Sequence, residues 1–246
     1  MDVTGIEIVE DRTAGSLADE GFLRIRRYLL RHVHADGSRG APYACDVMSR
    51  RDVGAVAVVL YEREGRRVRV VLKEGVRPPV WLRRTKDLVQ PDAAERLLIT
   101  EIAAGVLESG DRGAGAIERR AAAEAREECG TALDPQAVRL LGAASFPSPG
   151  VTDEKVFFAS AEVRVADAAP VAGDGSGMEE GTRRVVLDLR EAIARRRDGR
   201  IPDMKTELAL LRLADRLGYL PQLDAFVDEL PGELRARFAP PGLEEA

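Results

Sequence analysis

Cysteine and histidine are nearly missing from this chain, with two of each among 246 residues. Cys45 and Cys129 offer no disulfide framework, which fits a reducing compartment. His32 and His34 fall on one face of an alternating segment, but with no third histidine nearby a surface role outweighs a metal pair. Long apolar runs are lacking too, so nothing in the sequence is suited to crossing a bilayer. The first residues carry Asp2, Glu7, Glu10 and Asp11 where a signal peptide would need an apolar core. The expectation is a cytoplasmic protein that does not enter a membrane. Positive charge is not in excess either: the net charge is −5, which gives no support to general nucleic-acid binding. The sequence shows no internal repeat, no Gly-rich loop ending in Gly-Lys-Ser/Thr, no Ser/His/Asp set and no helix-turn-helix extension.

What the chain does have is acid at helical spacing. Glu124, Glu127 and Glu128 stand at i, i+3 and i+4, which stacks three carboxylates along one helix face. Such a cluster repels itself unless a cation sits among its members. Mg²⁺ suits the position, because it takes a few carboxylates and shares its remaining sites with water and substrate phosphates. Ala116 to Cys129 is rich in Ala, Arg and Glu and holds no Pro or Gly, so it should be a helix. Gly130 follows where a left-handed residue ends one. Ala121, Ala122 and Ala125 would let the other face pack closely. The plainer alternative is a solvated helix in which Arg119, Arg120 and Arg126 serve the glutamates.

The residues ahead of this helix tilt the balance. Leu97, Leu98 and Ile99 read as a strand running through Glu101-Ile-Ala-Ala-Gly105, and Val106 to Asp111 as a polar loop. Strand, glycine loop, acidic helix and glycine together resemble the Nudix box. Gly105 matches its first glycine, Asp111 stands in for its first glutamate, and Glu124, Ala125, Glu127, Glu128 and Gly130 match its closing half. Two features depart from the pattern. The loop after Asp111 carries about four extra residues, Arg112-Gly-Ala-Gly115, an insertion that is cheap in closure entropy. The arginine expected before Glu124 is Ala123, and Arg120, one turn earlier, is the candidate substitute.

Outside the box the resemblance narrows to the ADP-ribose pyrophosphatase branch. Val68 to Pro79 is similar to that group's strand and Arg-Pro turn, with Arg77 at the turn. Glu101 opens a Glu-x-x-Ala-Gly segment, and Ser148-Pro149-Gly150 leads to Glu154. Asp198-Gly-Arg-Ile-Pro-Asp203-Met-Lys205-Thr206 resembles the branch's late motif. The resemblance implies an α/β/α sandwich of the α/β (α+β) class with a mixed sheet. It further implies a small N-terminal β appendage over 1–50, a catalytic domain over 51–230 and a loose tail over 231–246. The N-terminal strands of related enzymes help build a dimer, so a homodimer is expected.

The same resemblance implies hydrolysis of a nucleoside diphosphate derivative, foremost ADP-ribose to AMP and ribose 5-phosphate. Glu124, Glu127, Glu128 and the Ala104 carbonyl would hold Mg²⁺, with Mn²⁺ as the alternative ion. Arg77, Glu101, Gly105 and Glu154 would meet the small-molecule nucleotide substrate. Glu179 or Glu180, in the acidic loop before the last strand, would be the general base, with an exposed loop of no role as the alternative. The rivals are a nucleoside-diphosphate-sugar pyrophosphatase and a non-catalytic nucleotide-binding module. Trp81 could stack on an adenine or equally plug the dimer or the core. Most of the cations between Tyr61 and Gln90, including Lys73, read as solvated.

Periodicity places strands at Phe22–His34, Tyr43–Met48, Val53–Tyr61, Val68–Leu72, Val138–Phe146, Lys155–Val163 and Arg183–Leu187. Helices are expected at Leu189–Arg197, Met204–Arg216 and Pro221–Glu229.

Overall fold

The computed structural model describes residues 3–12, 14, 22–171, 173, 175 and 181–238. The chain divides into two compact units, Met1–Gly54 with Phe146–Lys155, and Ala55–Ser145 with Val156–Ala246.

In the first unit β1 (Val3–Asp11), β2 (Arg24–His34) and β3 (Tyr43–Ser49) form an antiparallel sheet in chain order. Strand β1 carries the acidic residues Glu7, Glu10 and Asp11. One of those, Glu7, pairs across the strands with Arg31 at 3.2 Å and also with Arg39. The segment 146–155 is tied to the end of β3. The Met48 N–H donates to the Val151 carbonyl at 2.8 Å, and Ser49 Oγ to Asp153 at 2.8 Å.

The second unit is built on β4 (Gly54–Glu64), β5 (Arg67–Val76), β6 (Leu98–Glu101), β7 (Ala103–Val106), β8 (Arg139–Leu140), β9 (Lys155–Glu162) and β10 (Arg183–Asp188). Its helices are α1 (Pro78–Trp81), α2 (Ala116–Cys129), α3 (Leu189–Arg197), α4 (Met204–Leu217) and α5 (Gly232–Phe238). The sheet runs β10-β5-β4-β9-β8, with β6 on β5 and β7 on β4. Most neighbours are antiparallel. Strands β4 and β9 are parallel: Lys155 N–H bonds to Val53 O and Val163 N–H to Tyr61 O, so both chains advance together.

Strands β4 and β5 are buried on both faces, so their residues alternate between two cores. Val56, Val58, Leu60 and Val71 meet Ala121, Ala125 and Cys129 of α2. Val70, Leu72 and Ile102 meet Leu189, Ile193, Leu210 and Leu213 of α3 and α4. Each such leucine or isoleucine taken from water contributes about 1.5–3 kcal/mol. Helix, mixed sheet and helices make the three-layer sandwich expected.

Three expectations change. Only Arg139–Leu140 of Val138–Phe146 is strand: a 3₁₀ turn at Pro135–Ala137 precedes it, and Gly142 at φ 73° breaks the extended chain just after it. Pro221–Glu229 is not a helix; β11 (Tyr219–Leu220) and β12 (Ala225–Phe226) form a hairpin instead. Asp224 holds a positive φ of 52° in its turn, and its carboxylate accepts from the Tyr219 hydroxyl at 2.7 Å. The tail opens with α5 rather than as loose chain, and residues 239–246 lie outside the described residues.

Candidate active site

Helix α2 covers Ala116–Cys129, the bounds its composition suggests, and Gly130 ends it at φ 66°. A side chain at Gly130 would collide with the Ala169 carbonyl, 2.1 Å from where Cβ would stand. Ala121 and Ala125 of α2 sit in the core, so the helix lies close to β7. That closeness lets its acids reach the strand backbone. Glu124 rests directly over Gly105: a Cβ there would be 1.8 Å from Glu124 Oε1. One turn on, Glu128 Oε2 accepts from the Ala104 N–H at 2.8 Å. Two carboxylates thus flank the Ala104–Gly105 peptide, and both are buried. Burial pushes the Glu128 carboxyl up to about 7 against the pull of Lys73. Burial also pushes the neighbouring Cys129 thiol up to about 12, so it remains a packing group.

Each buried carboxylate has a cationic neighbour. Lys73 on β5 contacts Glu128, both side chains being 4% exposed. Charge density alone places this lysine among solvated cations. The signal was its place directly after Val70, Val71 and Leu72, in a strand with no wet face. A lysine buried there must find an acid. Arg120 donates to Asp111 at 2.8 Å and lies 3.7 Å from Glu124 and 3.3 Å from Glu108. Burial opposes ionisation of Asp111, but the Glu108 N–H and Arg120 outweigh it and hold the carboxyl low. Arg119 turns the other way and closes the inserted loop, donating to the Ala114 and Arg112 carbonyls at 2.8 and 3.0 Å.

Glu127 stands apart from this pair. Its side chain is 34% exposed and 3.8 Å from Arg126. Among the described residues no three Asp, Glu, His or Cys side chains converge as a metal-ligand set. The donors that do converge, two buried carboxylates against a backbone kept bare by Gly105, match Mg²⁺, which uses one or two carboxylates and fills its other positions with water and phosphate.

Beside this cluster lies a cavity of about 860 Å³, lined by Arg77, Val80, Trp81, Arg84, Glu101, Met204 and Lys205 among others. Arg77 and the buried Glu101 form an ion pair on one wall. Arg84 stacks on Trp81 with its guanidinium 3.3 Å from the ring centre. On the other wall Lys205 pairs with Asp203 at 2.8 Å. Asp203 also caps α4, accepting from the Thr206 N–H at 2.9 Å and hydroxyl at 2.7 Å. Burial works against the Asp203 charge, yet Lys205 and Thr206 hold its carboxyl below the usual range. The Thr206 hydroxyl in turn accepts from the Ile102 N–H, between β6 and β7. The late Asp-x-Lys-Thr segment therefore braces the strand pair that carries Glu101 and Gly105.

Glu154 belongs to the first unit, where Arg50 binds it at 2.5 Å. Glu179 and Glu180 lie outside the described residues. Earlier in the connection that carries them, the Gly173 N–H donates to the Glu127 carbonyl of α2 at 3.0 Å.

No protein-family model and no curated protein matches the chain. Among solved structures it is similar to the crystal structure of an ADP compounds hydrolase, at 14% identity and a TM-score of 0.60. The likeness covers 88% of this chain and 96% of that one. What the two proteins share is the fold.

Proposed function

We propose that this protein is a Mg²⁺-dependent hydrolase of the pyrophosphate bond in a nucleoside diphosphate derivative. ADP-ribose, cleaved to AMP and ribose 5-phosphate, is the foremost substrate, and Mn²⁺ could replace Mg²⁺. The observation that carries this reading is the pair Glu124 and Glu128, buried on either side of the Ala104–Gly105 peptide. Those two carboxylates and the Ala104 carbonyl are the proposed ligands, with Glu127 acting from the rim through water. A divalent cation held there supplies charge neutralisation on the diphosphate and a more acidic water.

The remaining work falls to the side chains. Gly105 leaves the space in which Glu124 sits against the strand. Arg120 is proposed to take the part of the arginine that Ala123 replaces, holding Glu124 from one side and Asp111 from the other. Arg77, positioned by Glu101, would grip a phosphate or sugar edge at the mouth of the cavity. The volume suits a nucleotide-sized ligand. Glu179 or Glu180 would accept the proton of the attacking water. The tether of their connection to Glu127 supports that assignment. Glu154 is proposed for the substrate on motif resemblance alone, and the N-terminal strands for a homodimer contact on the same ground.

One observation favours a second reading. Lys73 already neutralises Glu128, as it would in a nucleotide-binding module without catalysis. Measuring AMP release from ADP-ribose, UDP-glucose and GDP-mannose with Mg²⁺ and with EDTA separates the two. Mg²⁺-dependent release establishes hydrolysis and ranks the substrates. ADP-ribose binding without release from any of them establishes the module.

A further inference from the structure

Lys73 and Glu101 stand directly opposite each other where β5 and β6 pair. Opposed residues of an antiparallel pair share a sheet face and lie within about 4.5–5.5 Å of each other. Their face is the one covered by α2, since Val71, two residues before Lys73 on β5, packs in the α2 core and Lys73 itself contacts Glu128 of α2. Lys73 therefore has two buried carboxylates within the sweep of its side chain: Glu128, which it contacts, and Glu101, whose partner is Arg77. Arg77 in turn lines the cavity and accepts the Trp81 N–H on its carbonyl at 3.0 Å. Glu128, Lys73, Glu101 and Arg77 thus alternate in sign from the acidic cluster to the cavity wall.

We infer that Lys73 is the tethered counter-ion of Glu128 in the cation-free protein, and that it moves to Glu101 when a divalent cation is bound at Glu128. The inference rests on the metal reading above and adds a consequence for the cavity. An ammonium arriving at Glu101 competes with Arg77 for the same carboxylate, because two cations of like sign must then share it. Arg77 is loosened from Glu101 and becomes available to an anionic ligand. Cation occupancy thereby prepares the substrate wall before any substrate arrives, which is a coupling between two neighbouring sites.

Two measurements without nucleotide test this. In calorimetric titration with Mg²⁺, Lys73→Met should bind about tenfold more tightly than the unmodified protein, since no tethered ammonium has to be displaced. Trp81 is the only tryptophan in the chain. Its emission should shift as Mg²⁺ saturates the unmodified protein and stay constant in Lys73→Met. Equal or weaker Mg²⁺ binding by Lys73→Met, or the same emission shift in both proteins, overturns the inference while leaving the metal site standing. If the unmodified protein takes up no Mg²⁺, the metal reading fails and this inference with it. Should Lys73→Met not fold, Lys73→Arg carries the test: its guanidinium grips Glu128 in two places. About tenfold weaker Mg²⁺ binding supports the inference, and unchanged or tighter binding overturns it.

Discussion

The two faces of the central sheet are packed by different means. Toward α3 and α4 the filling is large: Leu72, Ile102, Leu189, Ile193, Leu210 and Leu213 are all fully buried. Toward α2 the helix contributes alanines and Cys129. Large side chains hold a helix away from a sheet, whereas alanines let it close in. Stability is concentrated on the first face. On the second, close approach brings Glu124 and Glu128 onto the strand backbone, at the cost of burying charge. One face anchors the fold and the other holds the buried carboxylates.

Substitutions can break that division. The largest effect is expected for Gly105→Ala, whose methyl would occupy the place of the Glu124 carboxylate. Hydrolysis of ADP-ribose should fall at least about a thousandfold, equivalent to ~4 kcal/mol of barrier, and steady-state assays with a circular-dichroism control would show it. Leu210→Ala, on the opposite face, should lower unfolding free energy by about 2–5 kcal/mol while turnover per folded molecule stays the same. Denaturant melts paired with active-site titration check both halves.

Arginine substitutions on α2 sharpen the comparison. Arg120→Ala should cost about 10–100-fold in activity, as loss of a group that orients ligands does. Arg119→Ala should only loosen the inserted loop. Equal losses in the two variants would remove Arg120 from its proposed role.

The smallest effect concerns the cap of α4. Asp203 has its carboxyl held below its ordinary value of 3.8. Its contribution is therefore fully present above that value and is lost as pH falls through the lower folded one. Asp203→Asn keeps a cap but not the charge, and should flatten the acid limb of a plot of melting temperature against pH. The loss at neutral pH should be about 1 kcal/mol, the difference between hydrogen bonds to a charged and to a neutral acceptor.

Much of the fold was legible in the sequence because local signals agreed with tertiary demands. The Ala/Arg/Glu run with Gly130 behind it bounds α2, and Leu189–Arg197 bounds α3. The spacing of Glu124 and Glu128 placed both on the buried face. Glu127, one residue away, belongs to the flank, which a motif written as Glu-Glu does not distinguish. The reason for Gly105 was hidden, since a close approach between strand and helix has no sequence mark. Lys73 was misread because a basic stretch was judged by its charge density and not by the alternation of its strand. The hairpin over Tyr219–Phe226 escaped because Leu-Asp-Ala-Phe-Val has helical spacing, while the decisive Tyr219–Asp224 bond is made only once the chain has turned.

The guanidinium of Arg184 reaches from β10 to the Cys129 carbonyl at 2.9 Å and the Ala169 carbonyl at 2.8 Å, and the Ala169 N–H donates to the Gly130 carbonyl. A single side chain thus rivets the early part of the β9–β10 connection to the end of the acidic helix. Insertions or deletions beyond that rivet would leave the carboxylates beneath undisturbed. Selection would then have one part of the molecule free to explore and another held fixed.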